Sequence, residues 1–217
     1  MKNKLLFILI LLIALFVRLW NLNSLPPSLN WDEVSLGYNA YSILNTGKDE
    51  WGQILPLSFR AYGDYKLPVY VYFDVPFVAI LGLNEWGVRL PSVLAGVGTV
   101  FFIFFILKKL TNRSSLALWG AFIASILPWS IILSRIALEA NLALFLTVVA
   151  FYFFLKGLRN KKYLIASSLF FGLTIFTYNS SRVVTPLLIF LIAVFYFNEL
   201  KNKWAGFSLV IFLLFFA

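Results

Sequence analysis

The sequence predicts an all-α polytopic membrane protein with about seven transmembrane helices. Three observations lead there. Hydrophobic residues make up 61% of the chain and charged residues 12%, roughly half the charged share of a soluble domain. The apolar stretches are long and continuous, whereas a transmembrane β-barrel shows short alternating segments. Hydrocarbon offers no water to open backbone groups, so such stretches cross as helices.

The same composition removes several functions. With no cysteine and no histidine, disulfides, thiol chemistry, thiolate zinc sites and imidazole acid–base catalysis are excluded. Proton transfer falls to Asp, Glu, Lys, Tyr or water. The net charge of +9 does not point to nucleic acid, because the basic residues stand in short clusters between apolar runs. That is the positive-inside pattern of a membrane protein.

Taken in order, Lys2 and Lys4 precede an apolar run over residues 5–17, closed by Arg18 and Trp20. No small-residue cleavage site follows, so the run reads as an uncleaved signal-anchor helix with a cytoplasmic amino terminus. Residues 21–90 form a long polar-aromatic segment, expected to be the first extracytoplasmic loop. It opens with NWDEVSLGYNAY, residues 30–41. Helical spacing puts Val34, Gly37, Tyr38, Tyr41 and Leu44 on one side and Glu33, Ser35, Asn39, Ser42 and Asn45 largely on the other. That is a short amphipathic interfacial helix with carboxylates in its first turn. Residues 67–83 are apolar enough to suggest a span, but Asp74 and Pro76 sit in the middle, and a carboxylate at membrane depth costs several kcal/mol. An interfacial placement also keeps Lys108, Lys109 and Arg113 inside. Spans are then expected over 91–107, 116–133, 142–155, 163–177 and 183–197, with Pro91 in the first turn of its helix. A seventh begins at residue 204. About 14 residues are too few to cross roughly 30 Å, so the chain, 1–217, reads as the amino-terminal module of something longer.

With this layout the basic clusters around Lys108, Lys156, Lys161 and Lys201 are cytoplasmic. Asp32, Glu33, Asp64, Asp74 and Glu139 share the outer side with Lys66, Arg89, Arg135 and Arg182. A site belongs on that outer side. Each piece also has a plainer reading: Asp32 as a helix cap, GDYKLP as a turn, Arg89 as a snorkelling arginine, Arg135 and Glu139 as an i,i+4 pair, and YNSSR, with Tyr178 and Arg182, as a loop. Together the four cations suit a phosphate among helices, and a carboxylate beside them can take a proton from an attacking hydroxyl.

The order of WDE, GDYKLPVY, VRLPSVLAG, LKKLTNRSSLAL, LPWSIILSRIALEANLALF and FTYNSSRVVTPLL resembles the bacterial protein-mannosyltransferase-like glycosyltransferases of family 39 and their aminoarabinose-transferase relatives. Those are polytopic enzymes of the GT-C class. The resemblance implies a GT-C amino-terminal module, with Asp32 as catalytic base and Glu33 as its neighbour. It implies Asp64 and Lys66 as a second acid–lysine patch, and Arg135 and Arg182 as phosphate-facing arginines. Leu67 departs from the family's first proline. The implied donor is a polyprenyl-phosphate-linked sugar and the acceptor a hydroxyl on a glycan, lipid or protein. No cofactor is required by these residues, and a divalent metal has no ligand spacing to support it beyond Asp32–Glu33. The expected location is the inner (plasma) membrane. The rival class is a polytopic transporter or lipid flippase, which places polar residues at mid-membrane in broken helices. Here the polar residues gather in the outer segment instead.

Overall fold

A computed structural model describes residues 2–201 and 203–215. Phe216 and Ala217, the end of the expected seventh span, lie outside the described residues. Ten helices follow in order: α1 Lys2–Leu19, α2 Trp31–Thr46, α3 Pro68–Leu81, α4 Glu85–Thr111, α5 Ser114–Ile126, α6 Pro128–Arg135, α7 Glu139–Gly157, α8 Tyr163–Ile175, α9 Ser181–Phe195 and α10 Lys203–Leu213. A two-stranded hairpin, β1 Phe59–Arg60 with β2 Tyr65–Lys66, separates α2 from α3.

The fold class is the expected one, and the chain is a multi-pass membrane protein. Apolar side chains cover the outside as well as the inside: Leu5, Ile8, Leu12 and Phe16 of α1 and Val183, Leu187, Phe190 and Val194 of α9 are exposed. A helix apolar all round belongs in hydrocarbon or a core. The span count is lower than seven by length and apolarity. Among the described residues α4 and α7 pass both tests, and α5 with α6 passes as a broken pair bent by 54°. α8, α9 and α10 are shorter apolar helices, while α1 is 18 residues long with Lys2, Lys4 and Arg18 inside it.

Two expected helix starts shift for physical reasons. α4 begins at Glu85, before Pro91, because Asn84 caps it by accepting the Gly87 N–H at 3.0 Å. Pro91 therefore lies inside the helix. The expected span over 116–133 is broken at Leu127, where Pro128 cannot donate the next helical hydrogen bond and starts α6 instead.

α1 and α4 run antiparallel, since Arg89 near the start of α4 reaches Leu22 O just beyond the end of α1. Phe7 of α1 stacks on Phe104 of α4 at 4.0 Å, and Arg18 at the far end of α1 donates to Ser134 Oγ at 2.8 Å. One end of the bundle thus gathers Lys2, Lys108, Lys109, Lys156 and Lys161. The other end holds α2, the hairpin and the starts of α3, α4 and α7. A buried cluster of Leu36, Ala40, Tyr70, Val71, Val88, Ala95, Leu142 and Leu146 packs α2, α3, α4 and α7 together there. Gly37 lets α2 lie against Val88, since a Cβ at that position would overlap the valine.

Candidate functional site

The first turn of α2 points two adjacent carboxylates in different directions. Its cap is Asn30, not Asp32: Asn30 Oδ1 accepts the Glu33 N–H at 2.9 Å, and Glu33 Oε2 accepts the Asn30 N–H at 3.0 Å. This capping box satisfies two helix-end donors without Asp32. One step along a helix turns the side chain by about 100°, so Glu33 faces inward and Asp32 outward.

Glu33 is fully buried. Its Oε1 accepts from Arg89 Nε at 2.9 Å and from the Ala137 N–H at 3.0 Å. Arg89 is fully buried too. Its remaining donors go to Leu22 O, Pro26 O, Ser28 O and Glu33 Oε2 at 2.8–3.3 Å. A guanidinium has five N–H donors, and here each has an acceptor. Arg89, expected to face a phosphate, is instead the pin that holds the segment between α1 and α2.

Arg135 is likewise committed to backbone. It donates to Val17 O at 3.0 Å and Leu25 O at 2.7 Å, with longer contacts to Arg18 O and Asn21 O at 3.4 Å. A cation at these last carbonyls of α1 suits the helix dipole. The expected i,i+4 pair with Glu139 does not form, because residues 136–138 separate α6 from α7.

Asp32 meets Lys66. Its Oδ1 lies 2.7 Å from Lys66 Nζ, while Asp64 Oδ2 and Glu139 Oε2 both stand 3.9 Å from the same nitrogen. The hairpin does this: Gly63 turns at φ +79, Tyr65 faces out and Lys66 in. Pro68 then opens α3. Glu139 is anchored by accepting the Leu67 N–H at 3.1 Å. Burial draws the Lys66 pKa down, but the hydrogen bond to Asp32 and the charges of Glu139, Asp32 and Asp64 outweigh it, and the net shift is upward. Lys66 is therefore a firm cation, 11% exposed, beside a carboxylate that is 38% exposed. The rings of Trp31 and Tyr62, both well exposed, stack on each other with centroids 6.5 Å apart, Trp31 being the neighbour of Asp32 in the first turn of α2.

The turn that carries Tyr178 and Arg182 reaches the same end of the bundle, for Phe176 O accepts the Val69 N–H at 3.2 Å. Tyr178 is 37% exposed. Arg182 is exposed and, among the described residues, has no ion-pair partner. Asp74 is a different case. It is fully buried on α3 with neither oxygen hydrogen-bonded, as is Ser35 Oγ on α2. Burial raises the Asp74 pKa to about 8. Among the described residues no group of three potential ligands stands together as a metal site.

Residues 66–217 match the model of the family described as dolichyl-phosphate-mannose-protein mannosyltransferase. The chain belongs to that family. The match begins at Lys66 and takes in Arg135, Glu139, Tyr178 and Arg182, leaving Asp32 and Asp64 just ahead of it. A relative in Bacillus subtilis (strain 168), named "Putative mannosyltransferase YkcB", is 23% identical over 167 residues. That alignment takes in 76% of this chain and 22% of the relative, so the chain spans about a fifth of that protein's length. Within the family chain described here, the residue that sequence reasoning left out of the site is Glu139. Its signal was a lone acid opening an apolar helix just after a proline-broken one.

Proposed function

We propose that the chain is the membrane module of a glycosyltransferase that moves a sugar from a polyprenyl-phosphate donor to an acceptor hydroxyl, on the extracytoplasmic side of the inner membrane. The amino terminus and the basic end are then cytoplasmic, as the positive-inside pattern requires. Family membership supports the reaction class and makes mannose the first sugar to try.

The observation that carries the reading is the Asp32–Lys66 contact at 2.7 Å, half open to the outside and backed by Glu139. Asp32 is the base: its carboxylate takes the proton of the acceptor hydroxyl as that oxygen attacks the anomeric carbon. The bond from the anomeric carbon to the phosphate oxygen breaks, and its electrons stay on the polyprenyl phosphate. Lys66 supplies positive charge beside both groups, and Arg182, which has no ion pair among the described residues, answers the departing phosphate. Glu139 and Asp64 hold the Lys66 ammonium in place. Trp31 and Tyr62 offer flat faces against which a sugar ring can pack.

Asp32→Asn keeps the shape of the side chain and removes the base. In membranes containing the full-length protein and radiolabelled polyprenyl-phosphate mannose, transfer should fall at least about 100-fold while insertion is unchanged. Full activity in Asp32→Asn removes this residue from the mechanism. The break between α5 and α6 is the one feature a transporter would also use. It is filled, however, by the buried Arg18 guanidinium, which donates to Ser125 O, Ser130 Oγ and Ser134 Oγ at 2.8–3.1 Å.

A further inference from the structure

At the basic end of the bundle, opposite the Lys66 cluster, α7, α8, α9 and α10 line a half-open cavity of about 360 Å³. That is within the usual range for a small-molecule pocket. Phe154, Phe171, Ile192 and Phe212 form its walls, one from each helix. Three serines also line it, but their hydroxyls are committed: Ser167 donates to Ala150 O, Ser168 to Ile165 O and Ser208 to Trp204 O, at 2.7–2.9 Å. The wall is therefore hydrocarbon in effect. One cation stands in the lining, Lys201, whose ammonium lies 4.6 Å from the Phe197 ring centre. Lys161 Nζ donates to Glu199 O at 2.9 Å, which ties the α7–α8 turn to the segment before α10 and brings further positive charge to this end.

We propose that this cavity holds an acyl chain of an anionic phospholipid, with the phosphate against Lys201. An aliphatic wall favours a hydrocarbon occupant, and a cation at its edge favours an anionic head. Basic pockets between membrane helices bind such lipids in this way. The cavity is separate from the Lys66 cluster, since the 19 residues of α7 set the two ends roughly 28 Å apart. The proposal does not rest on the transferase reading.

The test uses the full-length protein in a neutral detergent. Native mass spectrometry measures binding of phosphatidylglycerol and of phosphatidylcholine with the same chains. Phosphatidylglycerol should bind in preference, and Lys201→Gln should weaken it about fivefold while leaving phosphatidylcholine alone. Gly206→Phe should weaken both lipids, because Gly206 lines the cavity and a Cβ there meets nothing within 4 Å. Ala193→Phe fills the same space from α9 and gives an independent check. Lys109→Gln, at the same end but not in the lining, should change nothing. Equal binding of the two lipids, indifference to both filling variants, or displacement of phosphatidylglycerol by polyprenyl phosphate would each overturn the assignment.

Discussion

Asp32 and Glu33 are neighbours in sequence, each within reach of a cation, and their surroundings could hardly differ more. Glu33 and Arg89 are sealed from solvent and tie α2, α4, the segment between α1 and α2, and Ala137 into one body. Asp32 and Lys66 sit nearer the rim, with Asp32 38% exposed, and among the described residues their ionic partners are each other, Asp64 and Glu139. The difference separates two jobs that a sequence motif merges. The buried pair holds the frame, and the open pair faces whatever arrives. An ion pair with no water left around it is expensive to break, because one charge is stranded. A half-exposed pair is worth about 0–1 kcal/mol, so Asp32 can be changed without unfolding anything.

That contrast can be broken in four ways. The largest effect is expected for Arg89→Leu, which strands the Glu33 charge without its cation and leaves the carbonyls of Leu22, Pro26 and Ser28 without the guanidinium donors. Thermal melting in detergent should show a loss of about 3–5 kcal/mol, and activity should vanish with the fold. If Arg89→Leu melts like the wild type, the pin does not exist. Asp32→Asn should do the reverse: melting within about 1 kcal/mol of wild type and transfer down by two orders of magnitude or more. A variant that lost stability and activity together would merge the two pairs again.

Glu139→Gln should fall between them. It keeps the acceptor for the Leu67 N–H and removes only the charge 3.9 Å from Lys66, so a loss of about tenfold in transfer with a small change in melting is expected. The fourth way concerns pH rather than a partner: Asp74 is a buried carboxyl with neither pair's advantages. Its folded pKa of about 8 lies above the unfolded value near 3.9. The unfolded chain therefore releases this proton first. Stability is full below pH 4 and declines by on the order of 1 kcal/mol per pH unit up to about pH 8. Asp74→Asn should flatten that slope in melting curves recorded between pH 5 and 8. An unchanged slope would mean that the carboxyl has a partner in solution.

Much of the architecture was legible before any coordinates. Long apolar runs announce membrane helices, because helices alone satisfy a single segment's backbone in hydrocarbon. The basic clusters told the two ends apart. A helix opening in NWDEVSLGYNAY was legible from its spacing, but its two faces were sorted only in part: Val34, Tyr38, Tyr41 and Leu44 are exposed, whereas Gly37 is buried together with Glu33, Ser35, Leu36, Asn39, Ala40 and Ile43. The face against the protein therefore mixes polar and apolar side chains. The break at Leu127 was missed although Pro128 marks it. Asp74 stands in the sequence as a reason against a span, but its burial is not legible there, since burial depends on how α2 and α4 pack on α3.

For the candidate site, the roles of Asp32, Asp64 and Lys66 came from the family resemblance, because the residues alone also fit a helix cap and a turn. It could not sort the arginines. Arg89 and Arg135 look no different from Arg182 in one dimension, and only the path of residues 17–28, whose carbonyls surround the first two, decides that they are structural. Nor could it bring Glu139 to Lys66 across more than 70 positions.

What the residues determined alone is the class of molecule and the side on which its polar chemistry gathers, since hydropathy and charge are local properties that a membrane reads directly. Which carboxylate is buried, which arginines are tied to backbone carbonyls and which residues meet at Lys66 were decided by tertiary structure. Those outcomes depend on how helices distant in the chain pack, and on whether a charged side chain finds its partners before it finds water.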